Sequence, residues 1–474
     1  MEFLLTVLFG FIYTFATPTE NLLQQVQREG VLRVATRRNL TTYYQDSEGQ
    51  IAGLEYELVQ RFAQALGVKA EFVLPEKNTD ILPLVIKRRV HFAAPGLIAT
   101  DNYQSSIRLG PNYQYASLYV IYKRGTHRPR NLKQLGEMTD TCLLVPANSL
   151  YEEQVHKLQQ DYPDISLHWK ASTEQNTRQM LAQVAQQYIN FTIASEYELK
   201  RAQGLYPDIK EAFLLSEGQN LSWIFPRFGQ DESLYLASIL FFNRLRQSGE
   251  LEQLVDRYYG HTEDFNYYNI RVFKQKIKSL LPTYQAAFEA AAKEYNLDWR
   301  LLAAVAYQES HWKIDAVSYT GVKGLMMLTQ ETAKRMKIKD RTDPFESIIG
   351  GARYINFLLK RVPENVTGPD RTWMAVAAYN IGPGHVADAR ILTRKQGKNP
   401  AFWHEVRSYL YKLSQPHWHR QTKHGYARGF EAVAYVKNVR NFYDVLKREQ
   451  PTVSTSAEKE AAAKKLLDIK TPIL

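Results

Sequence analysis

Two rhythms of apolar residues divide the chain. From Glu20 to Gly260, short alternating runs are interleaved with helical stripes; from Ile270 to about residue 450 the spacing is helical nearly throughout. In the first stretch, Glu20 to Glu29 predicts a short polar helix. Leu32-Arg33-Val34-Ala35-Thr36 then alternates as a strand does. Leu54, Leu58, Phe62 and Leu66 recur on one helical face, and Gly67 stands where a glycine ends a helix. Val68, Ala70, Phe72 and Leu74 alternate again. Ile81, Leu82, Val85 and Ile86 mark another helix, and Val90 to Ala94 another strand. This βαβαβ order predicts a parallel sheet with helices on both faces and a ligand site beyond the carboxyl ends of its strands. In the second stretch, helices are expected to start around Tyr284, Asp298, Ser347, Thr372 and Gly429, giving an all-α domain. Thr262 to Tyr268, polar and aromatic, reads as the linker. The expected division is a leader over 1–17, an α/β domain over 18–267, an all-α domain over 268–450 and a charged tail over 451–474.

Residues 3–16 are an apolar run of signal-peptide length, shorter than the roughly 20 residues a spanning helix needs. Thr14 and Ala16 are small enough for a cleavage site, but Glu2 stands where such leaders carry Lys or Arg. A signal peptide or a weak anchor is the expectation. Apolar residues at 45% and charged residues at 23% exclude general disorder and a polytopic membrane protein. Sixty Lys and Arg against 49 Asp and Glu leave a formal charge of +11, which favours an anionic partner. No nucleic-acid motif accompanies it, so a cell wall or a membrane surface is the expected partner. Cys142, the one cysteine, excludes an intramolecular disulfide and a cysteine-based zinc site. His417-Trp418-His419, near His404 and His424, has no carboxylate at ligand spacing and reads as a surface loop. No metal or cofactor is expected.

The candidate chemistry lies between residues 298 and 435. Asp298 is a reasonable N-cap, and Leu301, Leu302, Val305 and Ala306 form the buried stripe of a helix whose last turn carries Glu309. The negative end of a helix dipole favours the neutral acid there. Tyr307 and Trp312 would partly desolvate it, again favouring the proton. A carboxyl kept protonated near neutrality is what a general acid needs. By itself, a helical Glu is more often an exposed or salt-bridged residue. Three further segments change that reading: Ser318-Tyr319-Thr320-Gly321-Val322-Lys323-Gly324-Leu325-Met326-Met327-Leu328-Thr329, then Ala378-Tyr379-Asn380, then Glu431-Ala432-Val433-Ala434-Tyr435.

Together with Gln308-Glu309-Ser310, these segments resemble the family 1 lytic transglycosylases and their lysozyme-like SLT domain. The first half resembles the family 3 solute-binding proteins, bilobed receptors for amino acids. That likeness rests on Leu32 to Thr36, Gly53-Leu54-Glu55-Tyr56-Glu57-Leu58 with Ala65-Leu66-Gly67, Asn243-Arg244-Leu245 to Gly249, and Leu254 to Gly260. The resemblance implies two lobes, with crossovers expected at Tyr115 to Tyr122 and near Ile189 to Ala194. It departs at Thr100-Asp101-Asn102-Tyr103, where the family has an Arg that clamps a ligand carboxylate. Arg108 is a candidate substitute, with solvated surface as its plainer reading. The half is expected to be non-catalytic and regulatory, holding a small ligand such as an amino acid or a muropeptide, or else to be a scaffold that binds nothing.

For the second half, the resemblance implies cleavage of peptidoglycan between N-acetylmuramic acid and N-acetylglucosamine, without water, to give 1,6-anhydromuramic ends. Glu309 is then the catalytic residue. Ser318, Tyr379 and Asn380 would bond near the cleavage point, Met326 and Met327 would line the groove, and Tyr435 would face Glu309. For the tyrosines and methionines, core packing is the rival reading. Met327 stands where many members carry Gln, and a Met-Met-Leu-Thr version fits a branch that fuses both kinds of domain. Asp315, Glu331 and Asp343 read as turn or cap residues rather than a second catalytic carboxylate. The implied location is the periplasm, at the periphery of the outer membrane. The alternative is a non-enzymatic sensor whose SLT domain is degenerate.

Overall fold

The computed structural model describes residues 20–39, 42–45, 49–76, 80–96, 106–147, 149–227, 231–259, 267–317 and 321–451. The expected leader, the Thr100–Tyr103 segment, residues 262–266 of the linker and all but the first residue of the tail lie outside them, while the last two expected linker residues, Tyr267 and Tyr268, begin a helix.

The strands of the N-terminal part are β1 (Val31–Ala35), β2 (Tyr44–Gln45), β3 (Ile51–Ala52), β4 (Lys69–Val73), β5 (Phe92–Ala93) and β6 (Ile107–Leu109). They continue with β7 (Gln114–Lys123), β8 (Leu143–Pro146), β9 (Trp169–Ser172), β10 (Phe191–Ser195), β11 (Ile209–Leu221) and β12 (Ile224–Pro226). Between and after them run α1 (Leu22–Glu29), α2 (Leu54–Leu66), α3 (Ile81–Ile86), α4 (Leu132–Gly136), α5 (Leu150–Asp161), α6 (Thr177–Gln186), α7 (Glu196–Gln203), α8 (Ser233–Ser248) and α9 (Glu250–Tyr259). One sheet has the order β4-β1-β5-β12-β6, with β1 parallel to β4 and β5; the other has the order β11-β7-β10-β8-β9. Burial alternates along the start of β1, Leu32 and Val34 being inside, and Gly67 closes α2 at φ +74°.

The chain enters the second sheet between β6 and β7, close to the expected crossover. The expected return near Ile189 to Ala194 is corrected: β10 stays within the second sheet, antiparallel to β7 and parallel to β8. The return is made from β11 to β12. β11 pairs with β7 along most of its length, with register shifts after Glu211, Leu214 and Ser216. Such shifts bend and twist a strand, and the chain leaves the second sheet at the end of this long antiparallel pair.

The C-terminal part is helical: α10 (Tyr267–Ser279), α11 (Leu281–Glu294), α12 (Trp299–Ser310), α13 (Gln330–Arg335), α14 (Pro344–Arg361), α15 (Gly368–Ile381), α16 (Pro383–Lys395), α17 (Trp403–Lys412), α18 (Pro416–His419) and α19 (Gly429–Glu449). α12 lies at the centre of this part, against α11, α14 and α19, with Leu301 through Tyr307 all buried. Asp298 is its N-cap, accepting from the Arg300 amide at 2.9 Å. The segment around His417 and His419, expected as a loop, is the short helix α18 because Pro416 starts a turn.

Side chains from the two parts meet. Asp256 of α9 pairs with Arg440 of α19 at 3.3 Å and with Arg407 of α17 at 2.7 Å. The buried carboxylate of Asp370 in α15 accepts from Gln253 Nε2 at 2.8 Å and from the Trp403 amide at 2.7 Å.

Candidate active site

The last turn of α12 places Glu309 against Tyr435 of α19 and near Tyr379 of α15, which in turn bonds the loop 321–328. Backbone geometry ends the helix abruptly: His311 and Trp312 both have left-handed backbones, at φ +54° and +58°. Such conformations are costly for non-glycine residues and persist where surroundings over-determine them. Here Trp312 is fully buried and its indole Nε1 donates to the Ala303 carbonyl at 2.9 Å, so the turn is anchored from inside.

The loop is tied down by backbone bonds to three neighbouring elements. Ser310 Oγ donates to the Leu325 carbonyl at 2.8 Å, the Met326 amide donates to Ser347 Oγ at 3.0 Å, and Tyr379 Oη donates to the Met326 carbonyl at 2.7 Å. Arg341 adds a bond to the Leu328 carbonyl at 2.7 Å. Gly324, at φ +98°, has no room for a side chain, since a Cβ would overlap the Arg341 carbonyl. Ser310, Ser347 and Arg341 are not among the site residues that the sequence points to. Only Ser310, adjacent to Glu309, carried a local signal.

Tyr435 of α19 faces the acid, its Oη donating to Glu309 Oε1 at 2.6 Å. Glu309 keeps some exposure, yet protein crowds its carboxyl enough that burial pushes its pKa up to about 7, against the lowering effect of the Tyr435 bond. Tyr379 lies close enough to feel that carboxylate: burial, then Glu309, then Tyr354 hold its phenol well above its ordinary value. Tyr354 and Tyr379 are in ring contact at 5.2 Å. Among the described residues, no second carboxylate contributes to the Glu309 shift. Asp315 and Glu331 are exposed, and Asp343 caps α14.

The remaining expected site residues separate. Asn380 is exposed beside Tyr379, on the next residue of α15. Met327 is half-buried with φ +48°. Met326 is corrected: its side chain is fully buried and packs against Gly351 of α14, where a Cβ would overlap it. It serves the site through its carbonyl, not as a groove wall. Ser318 lies outside the described residues. Among those described, no cluster of His, Cys, Asp and Glu has a metal-holding arrangement.

In the N-terminal part, the gap between lobes is bridged by an ion pair. Arg37, following β1, donates to Glu198 of α7 at 3.2 Å, with both side chains 4% exposed. Asn39 donates to the same oxygen at 2.8 Å, and Tyr151 binds the other. Arg108 sits on β6 at the surface, paired with Glu232.

The family model for the transglycosylase SLT domain matches residues 286–402, and that for bacterial extracellular solute-binding proteins, family 3, matches residues 32–261. Membrane-bound lytic murein transglycosylase F 1 of Alkalilimnicola ehrlichii is 41% identical over 428 residues, which is 90% of this chain and 85% of that one. Membrane-bound lytic murein transglycosylase F of Aeromonas salmonicida is 40% identical over 432 residues, 91% of this chain and 85% of its own. A solved structure of a mutant ArgBP from T. maritima covers 50% of this chain and 99% of its own length, at 14% identity and a TM-score of 0.45. With both domain models matched in order and relatives this similar over nine-tenths of its length, the chain belongs to the membrane-bound lytic murein transglycosylase F family.

Proposed function

We propose that Glu309 alone supplies the acid and then the base for murein cleavage. The activity itself, lytic cleavage of peptidoglycan by a lyase, is that of the family. The observation that carries the assignment is the Glu309 carboxyl with a pKa near 7 and a tyrosine hydroxyl on one oxygen. A carboxyl in that range is protonated often enough to donate and ionised often enough to accept.

The protonated Glu309 gives its proton to the glycosidic oxygen between N-acetylmuramic acid and N-acetylglucosamine. The C1–O bond breaks, the oxygen leaves as a hydroxyl, and the cationic C1 is stabilised by the muramic acid's own N-acetyl group. The Glu309 carboxylate then removes the proton from the C6 hydroxyl, whose oxygen bonds to C1. The product is the 1,6-anhydro end; no water is consumed, and Glu309 returns to its starting state. A retaining hydrolase would need a second carboxylate about 5 Å away, and in this route none is used.

Tyr435 fixes the orientation of the acid, and Tyr379 holds the loop that forms the opposite wall. Asn380 and Met327 are assigned to the sugar, as is Ser318. Residues 18–267 are assigned as the non-catalytic regulatory domain, with an amino acid or a muropeptide as its ligand, and residues 268–450 as the catalytic domain. The proposed location is the periplasm at the periphery of the outer membrane. Among the described residues no helix is long and apolar enough to cross a membrane.

Glu309→Gln tests the assignment. Mass spectrometry of material released from purified sacculi is expected to show anhydro-muropeptides with the parent chain and none with the variant, whose circular dichroism is unchanged. Release of anhydro ends at the parent rate by the variant would discard Glu309.

A further inference from the structure

α10 lies outside the segment that the SLT model matches, which begins at residue 286. It nevertheless touches the end of the catalytic helix in two ways. Phe273, fully buried, lies against Tyr307 at 4.3 Å between ring centroids, Trp312 at 5.4 Å and Phe442 at 4.7 Å. Tyr307 and Trp312 bracket Glu309 in sequence. Three residues further along α10, the Lys276 ammonium donates to the carbonyl of His311 at 3.1 Å and lies 5.4 Å from the Tyr307 ring.

His311 is the C-cap of α12, and its carbonyl is one of the groups a helix end leaves without an intrahelical partner. A cation at that end also offsets the partial negative charge of the helix terminus. The two left-handed residues, His311 and Trp312, make the turn costly, so its geometry depends on what holds it. α10 holds it on both sides: an aromatic wedge beneath and an ammonium on the terminal carbonyl. Glu309 is two residues before that carbonyl.

We propose that Lys276 is a positioning residue for the Glu309 carboxyl, with Phe273 as its hydrophobic support, so that the catalytic unit begins at α10. The proposal rests on Glu309 as the acid and base. Misplacement of a reacting group by about 1 Å costs up to a hundredfold in rate, and a partly released turn should give a smaller loss.

The test uses the full chain and a soluble glycan of defined length built from the murein repeat, with kcat and KM measured separately and kcat expressed per folded molecule by circular dichroism. Lys276→Met removes the donor from a partly exposed site and is expected to fold. Its kcat should fall about tenfold with KM within twofold, and Lys276→Arg, which restores a cationic donor, should recover at least half of the parent rate. Phe273→Leu, which keeps an apolar filling, should fall between the two. A Lys276→Met kcat within twofold of the parent, a loss borne by KM, or a loss that Arg does not recover would overturn the proposal. Glu309→Gln runs alongside: if it stays active, the acid assignment fails. If it is inactive while Lys276→Met is normal, only the positioning role fails.

Discussion

Replacing Glu309 by Gln should abolish cleavage and, at neutral or alkaline pH, make the protein more stable. The reasoning is one of proton linkage. In the unfolded chain this carboxyl titrates near its ordinary value of 4.5; in the folded chain burial pushes it up to about 7. Below pH ~4.5 it is protonated in both states and the burial costs no ionisation. As pH rises from there, the unfolded state releases its proton first, so stability falls until the folded carboxyl ionises as well. An interval of about 2.5 pH units at about 1.4 kcal/mol each gives about 3.5 kcal/mol as an upper figure, and the edge that the side chain keeps open to solvent brings the expected effect to about 3 kcal/mol. Gln carries no such penalty, and its amide oxygen can still accept the Tyr435 hydroxyl. At roughly 2 °C per kcal/mol for a unit of this size, the variant should melt about 6 °C higher than the parent at pH ~8 and at the same temperature at pH ~4. Glu55, also pushed up to about 7 by burial, loses stability over the same window, but equally in both proteins. Differential scanning calorimetry of the two at both pH values is the assay. Equal melting at pH ~8, or the same offset at both pH values, would show that the Glu309 carboxyl is not held protonated by its surroundings.

The same geometry sets further expectations. Tyr435→Phe removes the bond that lowers the Glu309 pKa, so the alkaline limb of the kcat profile should move upward by about 0.5 unit or more, read from initial rates across pH. Gly324→Ala forces a side chain into the Arg341 carbonyl at φ +98°; it should cost about 2 kcal/mol or more in a denaturant titration and lower turnover by shifting the Met326 carbonyl. Gly321→Ala, at φ +75° with open space around it, should cost about 1 kcal/mol in the same titration. Glu198→Gln leaves Arg37 buried without its counter-charge and should destabilise the N-terminal part by about 3 kcal/mol, seen as an earlier transition in urea.

Much of the site was legible because its signals are local. Asp298, the apolar stripe behind it and Glu309 lie within a dozen residues, and a cap, a stripe and a helix end are all properties of near neighbours. Tyr379 and Tyr435 were reachable only through the family resemblance, since nothing in their own spacing points to Glu309. The fixing of the loop was not legible: Met326 to Ser347 and Tyr379 to Met326 are bonds to backbone atoms, which carry no residue-type signature. Met326 was misread for a related reason. An apolar residue beside a catalytic segment looks the same in sequence whether it faces the groove or the core, and the choice is made by Gly351, which leaves the space that its side chain fills. The return crossover failed differently. β10 is the apolar, buried run that reads most clearly as a strand, whereas β11, which leads back to the first sheet, is largely polar and irregular in its pairing with β7.

The junction explains why the acid's surroundings belong to the whole chain. α19 carries Tyr435, which holds Glu309, and Arg440, whose guanidinium is 3% exposed and pairs with Asp256 of the solute-binding-like part. The five-residue step from one to the other spans about 7.5 Å of one helix. Arg440 also lies over the Trp373 ring of α15, 5.1 Å from its centre, so its position is coupled to the helix that bears Tyr379. A buried cation deprived of its partner costs several kcal/mol, and in this chain the partner is supplied by α9. Asp444 of α19 also stabilises this cation, but the carboxylate bonded to its guanidinium comes from before the linker. The fusion of the two domains is thus built into the packing of the C-terminal part, through the same helix whose Tyr435 bonds Glu309.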